Sequence, residues 1–568
     1  MKKQIGFIVL LGLMLGLPKP QFAQDSQRDK GFNTITKEAI QGQLEFLASD
    51  WMEGRETGTK GAYMAADYIA SMFKLYGLEP GGDPEQMRFG RGMRPMGGNP
   101  QQQRAERPKT YFQNFDLVVT SAGDDQELSV ITKSGGSTHS VDFNYRTDFT
   151  INPGQTGIEA EVPVVFVGYG LTDEKNGYDD FKGLDLKGKI VVKLNGFPGW
   201  KDVNSKTYDK FKPTTNDNNQ ADRRMMFRRG FNRYPWATEK GVMAVIELRD
   251  GQDPTTQWAS NIPFRYNTST YEGDVPQETR PRESWTLTTD QLRQGLISLT
   301  VTDRVIQELT NGLNMDFDAI EKQIAETGKP ASRELTGKFI HLKTSVKSRI
   351  VRARNVVGVL EGKNPDEIIV IGGHYDHLGK YGGFVFNGAD DNGSGTVGVM
   401  TIARAFAESG IKPEKTLVFC AWTGEEEGLL GSKYFTGHPY PGKILCELNY
   451  DMISRSSPIE DQDNKITMNY SNAFPVSKDL VEKFNKDYDM GLDIDFKGSD
   501  RPGGGSDHAS FANIDVPIYY FTAYTTRMPS EYHKFNDQVE TLNWDKMLKI
   551  VQLGYLSIFE LAKMPWNE

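Results

Sequence analysis

The carboxyl-terminal part of this 568-residue chain carries short runs that are apolar at nearly every position. Residues 367–373 read EIIVIGG, 416–422 TLVFCAW, 443–450 KILCELNY and 516–522 VPIYYFT. A strand with one face in water alternates apolar and polar residues; a strand covered on both faces reads as a continuous apolar run. Between the first two runs lies SGTVGVMTIARAFAESG, residues 394–410, apolar at helical spacing and closed by a glycine suited to a left-handed cap. A last helix is expected from about 544 to 561. Doubly covered strands alternating with helices predict an α/β chain, a three-layer αβα sandwich around a mostly parallel central sheet. Ligands of such sheets bind beyond the carboxyl ends of the strands. The residues just after each apolar run are therefore the first place to look for chemistry.

The chain is too long for one ordinary core. Residues 36–79 read as two helices, the second with apolar spacing from Ala62 to Tyr76 and a stop at Gly77. Residues 81–107 are rich in Gly, Pro, Gln, Arg and Met without an apolar period, the composition of a mobile surface loop. From Tyr111 onward the pattern turns to short β runs, VPVVFVGYGL, GKIVVKLNG and GVMAVIEL, separated by polar, Gly-rich connections. Helical stretches around 302–312 and 316–326 close this part. The expected division is 25–130 for the first part of one domain, 131–335 for an inserted β-rich module and 336–568 for the main part of the first domain. Arg223, Arg224, Arg228, Arg229 and Arg233 cluster inside the insert and read as a solvated helix face.

Lys2 and Lys3 followed by the apolar run Ile5–Leu17 read as an export signal over residues 1–24, with cleavage after Ala23 or Gln24. That run is too short to span a bilayer, and no cysteine stands at the cleavage site to carry a lipid. The expectation is an exported protein, periplasmic or extracellular, without a membrane anchor. A formal net charge of −10 argues against nucleic acid as a partner. Cys420 and Cys446 are the only cysteines and sit in apolar runs, so buried free thiols are expected rather than a disulfide framework.

Potential metal ligands stand where the fold places its ligands. His374 follows EIIVIGG, Asp391 lies in GADDNGSG at the start of a helix, and Glu425 and Glu426 follow TLVFCAW. Asp451 follows KILCELNY, and His533 sits in the loop PSEYHKF. Zinc takes imidazole nitrogen and carboxylate oxygen, and a pair of ions needs a shared carboxylate. Water between two zincs ionises near neutral pH, and a carboxylate outside the ligand set can take its proton. Each feature alone has a plain structural reading: a satisfied histidine, a solvated acidic face, a tight turn. Their placement after consecutive strands sets the constellation apart.

GGHYDHLG, GADDNGSG, GEEEGLLGS, LNYD, SDHASF and EYH, in this order, resemble the M28 metallopeptidases. LASDWMEGRETGTKGAYMAADYIASMFKLYGLEPGG is similar to the start of the exported aminopeptidases of that family. GYGLTDEKNGYDDFKGLDLKGKIVV and EKGVMAVIEL resemble its inserted protease-associated (PA) domain. The resemblance implies a secreted di-zinc peptidase acting on peptide substrates, an aminopeptidase working through a metal-bridging hydroxide. It implies two Zn2+ held by His374, Asp391, Glu426, Asp451 and His533, with Asp391 shared and Asp390 set aside. Glu425 matches the general base, Glu427 the extra acidic residue, and Asp376 the carboxylate that orients His374. A cis peptide at Asp391–Asn392 is implied as well, and Tyr532 is a candidate oxyanion donor. His377 and His508 match no ligand and are expected to be supporting or structural. A carboxypeptidase or dipeptidase on the same scaffold is the alternative, followed by a glutaminyl-cyclase-like enzyme or a receptor-like protein without catalysis.

Overall fold

The computed structural model describes residues 20–85, 107–152, 154, 156–212, 234–248, 283–290, 296–381, 383–456, 463–525 and 528–566. Most of the expected leader, most of the 81–107 segment and the five clustered arginines of the insert lie outside these residues. Two sheets organise the rest. The larger has ten strands, and Asn364–His374 lies at its middle. Lys415–Trp422 and Lys443–Tyr450 flank that strand in parallel, and Ile518–Thr522 extends the parallel set beside Lys443–Tyr450. Beyond Lys415–Trp422 the sheet turns antiparallel through Val346–Leu360, Phe112–Ala122 and Glu283–Leu287. At the other edge Lys465–Ser471 runs antiparallel to Ile518–Thr522 and parallel to Asp493–Ser499. The expected parallel arrangement thus holds for the four central strands, and the flanks are mixed.

The continuous apolar runs are explained by cover on both faces. On one face Ile369, Ile371, Leu417, Phe419, Leu448 and Phe521 meet the helices Lys60–Leu75, Gly395–Ser409 and Trp544–Leu561. On the other, Val370, Val418, Trp422 and Ile518 meet Phe435 and Phe511 from the short helices Leu430–Gly437 and His508–Ala512. Helix Gly395–Ser409 ends on Gly410 in the left-handed conformation, which only glycine adopts without strain. Cys420 and Cys446 are free and buried, in separate apolar clusters on opposite faces of the sheet. Among the described residues no helix is long and apolar enough to cross a membrane.

The smaller sheet has eight strands, the first beginning at Glu127 and the last ending at Lys343. Helices Asp303–Thr310 and Phe317–Thr327 contribute Val305, Leu309, Ile320 and Ile324 to its core. Its strands extend past both ends of the 131–335 span drawn from the sequence, because Arg333–Lys343 pairs with both Glu127–Ser134 and Glu159–Phe166. Glu283–Leu287, from within that span, belongs instead to the edge of the large sheet, beside Phe112–Ala122. The chain leaves the large sheet along Phe112–Ala122 and returns along Val346–Leu360, and these two strands pair along their length. The smaller sheet is therefore carried beyond Phe112–Ala122 and Val346–Leu360, with Glu283–Leu287 added along the outer side of the first.

Candidate metal centre

Parallel pairing brings the strand ends that carry ligands to one edge. His374 is in register with Trp422, and Gly372 with Asn449, so the residues after Trp422 and Tyr450 emerge beside His374. Asp391 comes from the turn that opens helix Gly395–Ser409, and the Asp391–Asn392 peptide is cis. His533 reaches in from the loop after Ile518–Thr522.

The side chains form two halves around one carboxylate. His374 Nε2 lies 3.6 Å from Asp391 Oδ1, 3.7 Å from Asp451 Oδ2 and 3.8 Å from Glu425 Oε2. His533 Nε2 lies 3.2 Å from Asp391 Oδ2 and 3.1 Å from Glu426 Oε2. The two oxygens of Asp391 thus face different histidines. Asp451 Oδ1 is buried without a hydrogen-bond partner. A buried set of imidazole nitrogens and carboxylate oxygens, rich in negative charge, fits divalent zinc in kind and number of donors. Ligand atoms of His374, Glu425 and Asp451 are close enough to hold one ion, as are those of His377, Asp391 and Glu426.

The residues drawn from the sequence therefore all converge: His374, Asp391, Glu426, Asp451, His533, Glu425 and Asp376. Asp376 sits differently from its expected part. His374 Nδ1 is nearer the Asp376 carbonyl, at 3.2 Å, than its carboxylate, at 3.7 Å. That carboxylate instead accepts the backbone N–H groups of Glu425 and Glu426, at 3.3 and 3.4 Å, and the Thr57 hydroxyl at 3.1 Å. Asp390 points away from the centre and accepts from the backbone of Ser454 and Arg455 and from Ser394 Oγ. Tyr532 stacks on His533, with ring centroids 3.8 Å apart. His508 stacks on Tyr520, with ring centroids 4.5 Å apart.

Burial and charge divide the two glutamates. Burial raises the Glu425 carboxyl well above its ordinary range; His374 opposes this, and Asp451 and Glu426 add to it. Burial works in the same direction on Glu426, but His533 and His377 outweigh it and hold that carboxyl well below the usual range. Burial disfavours a charged His533, yet Glu426 and Asp391 raise its pKa to about 10. The hydroxyl of Tyr532 is pushed up by burial and then by Asp391, Glu426 and Glu425, so it keeps its proton at neutral pH.

His377, expected as a supporting residue, places Nδ1 2.7 Å from Glu426 Oε1. Two further anchors were not legible beforehand. Arg55 is buried and donates to the carbonyls of Tyr375, Leu47, Asn387 and Gly388, at 2.6–2.8 Å. It thereby ties the loop after His374 to the loop before Asp391. Asp537 accepts from the backbone of Asp390 and Asp391. Arg55 falls within the quoted GRETGT stretch, but nothing in that stretch names carbonyl oxygens as its partners.

The carboxyl edge of this mixed sheet thus gathers buried imidazole and carboxylate groups that could hold divalent metal. Residues 355–555 match the model of peptidase family M28. Leupeptin-inactivating enzyme 1 of Streptomyces exfoliatus is 31% identical over 170 residues, covering 29% of this chain and 34% of that protein. The probable leucine aminopeptidase 2 of Aspergillus oryzae is 30% identical over 169 residues, 29% of this chain and 32% of that protein. The chain thus spans about a third of the length of these curated relatives. The solved aminopeptidase of Aneurinibacillus sp. strain AM-1 aligns over 95% of this chain and 98% of its own, with a TM-score of 0.52 and 17% identity. That likeness is one of fold.

Proposed function

We propose that this protein is an exported di-zinc aminopeptidase that removes residues from the N-termini of peptides. The observation that carries the reading is the division of Asp391, one oxygen toward His374 and the other toward His533. A carboxylate so placed suits two cations, one completed by His374 and Asp451, the other by Glu426 and His533. When bound, zinc lowers the pKa of water and polarises the scissile carbonyl.

The chain's own groups supply the rest. Glu425 stands beside His374, Oε2 3.8 Å from Nε2, outside the proposed ligand set, where it can take a proton from water and pass it to the leaving amine. Tyr532, held protonated beside His533, is placed to donate to the oxyanion. Asp376 fixes the backbone of both glutamates. The smaller sheet is read as a PA-type module that roofs part of the cleft and limits access to chain ends. The aminopeptidase name of the Aspergillus protein supports the direction of attack, and the Lys2–Lys3 start with its apolar run supports export.

The test uses zinc-loaded protein and one peptide in three forms: free, N-acetylated and C-terminally amidated. The free and amidated peptides are expected to lose N-terminal residues, and the acetylated one is expected to resist. Cleavage of the acetylated peptide from its C-terminal end would replace the aminopeptidase by a carboxypeptidase. A protein that binds zinc yet hydrolyses none of the three would end the peptidase reading.

A further inference from the structure

We infer that Asp537 is a positioning residue that sets the place of Asp391 before any metal arrives. The inference rests on the di-zinc reading above and deepens it. One Asp537 oxygen, Oδ1, accepts the backbone N–H of Asp390 at 2.9 Å, and the other, Oδ2, accepts that of Asp391 at 3.0 Å. The Asp537 carbonyl accepts from Ala389 N at 3.2 Å. Three successive N–H groups of the turn that presents Asp391 therefore end on one residue.

Asp537 also joins this turn to the other ligand loops. Lys534 N donates to Glu531 O at 3.0 Å, and Asp537 N to Lys534 O at 3.1 Å, so His533 and Asp537 belong to one tight stretch of turns. Arg455, four residues beyond Asp451, places Nη2 2.9 Å from Asp537 Oδ1. The segments carrying Asp391, Asp451 and His533 thus meet at one buried carboxylate. Three donors converge on its two oxygens, so the position calls for a group that only accepts. The amide of asparagine would turn an NH2 toward a donor. The ligand carboxylates repel one another until cations bind, and a backbone clamp holds Asp391 in place against that repulsion.

The test is Asp537→Asn in the full-length protein, stripped with chelator and titrated with zinc by calorimetry, followed by steady-state kinetics at saturating zinc. The expected result is a loss of zinc affinity of about 10–100-fold, the range seen when groups behind metal ligands are removed. kcat is expected to fall while KM stays within about twofold, because the change displaces the reacting groups rather than the peptide-binding surface. A purely structural residue would lower the melting temperature and leave zinc affinity and kcat unchanged; that outcome overturns the inference. Should Asp537→Asn not fold, Arg455→Lys carries the same two measurements, and unchanged values there overturn it equally. Wild-type protein that takes up no zinc would instead overturn the di-zinc reading itself.

Discussion

His377 holds Glu426: Nδ1 lies 2.7 Å from Oε1, leaving Oε2 to face His533 Nε2 at 3.1 Å. One oxygen is anchored and the other is free to meet a cation. This is the arrangement expected of a ligand whose direction is set from behind. His377→Ala is therefore expected to weaken zinc binding by about 10–100-fold. Competition against a chromophoric chelator measures this. Wild-type affinity in the variant would mean that the 2.7 Å contact contributes nothing to the site.

The three adjacent glutamates should separate by role. Glu425→Gln keeps its shape but cannot take a proton, so it should retain zinc and lose on the order of 10²–10⁴ in kcat. Glu426→Gln should lose zinc instead, while Glu427→Gln should behave nearly as wild type. Metal analysis beside kinetics reads all three, and an inactive, zinc-loaded Glu427→Gln would move the register by one residue.

Metal content follows from the two halves around Asp391. Unchelated, folded protein should carry two zinc ions per chain, and chelation should abolish peptide hydrolysis. One ion per chain in fully active protein would contradict the shared role of Asp391.

Packing behind the centre makes a separate prediction about stability. A Cβ on Gly554, in helix Trp544–Leu561, would land on the hydroxyl of Tyr450, which sits one residue before Asp451 and donates to Ile550 O. Overpacking of this kind costs about 1–3 kcal/mol. Gly554→Ala should lower the urea midpoint accordingly, and an unchanged midpoint would show that helix and strand separate freely.

Burial raises the thiol pKa of both Cys420 and Cys446, and neither side chain is exposed. Neither should react with a thiol reagent in the native protein at pH 8, and both should react once it is denatured. Rapid labelling of one in folded protein would place it at an opening absent from the fold described above.

The main strands and helices were legible because each is a local signal, and so were the imidazole and carboxylate groups that stand at their ends. A doubly buried strand reads as an apolar run, Gly410 marks a helix end, and His374 and Asp451 stand directly at or after such runs. Strand direction and neighbour are another matter. Periodicity does not say that Lys465–Ser471 runs antiparallel beside Ile518–Thr522, nor that Glu283–Leu287 crosses to the edge of the large sheet. The anchors of the centre were hidden for a related reason. Arg55 binds carbonyl oxygens, and Asp537 binds backbone N–H groups 146 and 147 positions away. Every residue offers a carbonyl and nearly every one an N–H, so such partners leave no mark of residue type along the chain. The sequence alone determined which groups could hold metal. The tertiary structure decided how Asp391 divides its oxygens between His374 and His533, because that depends on contacts between segments far apart in the chain.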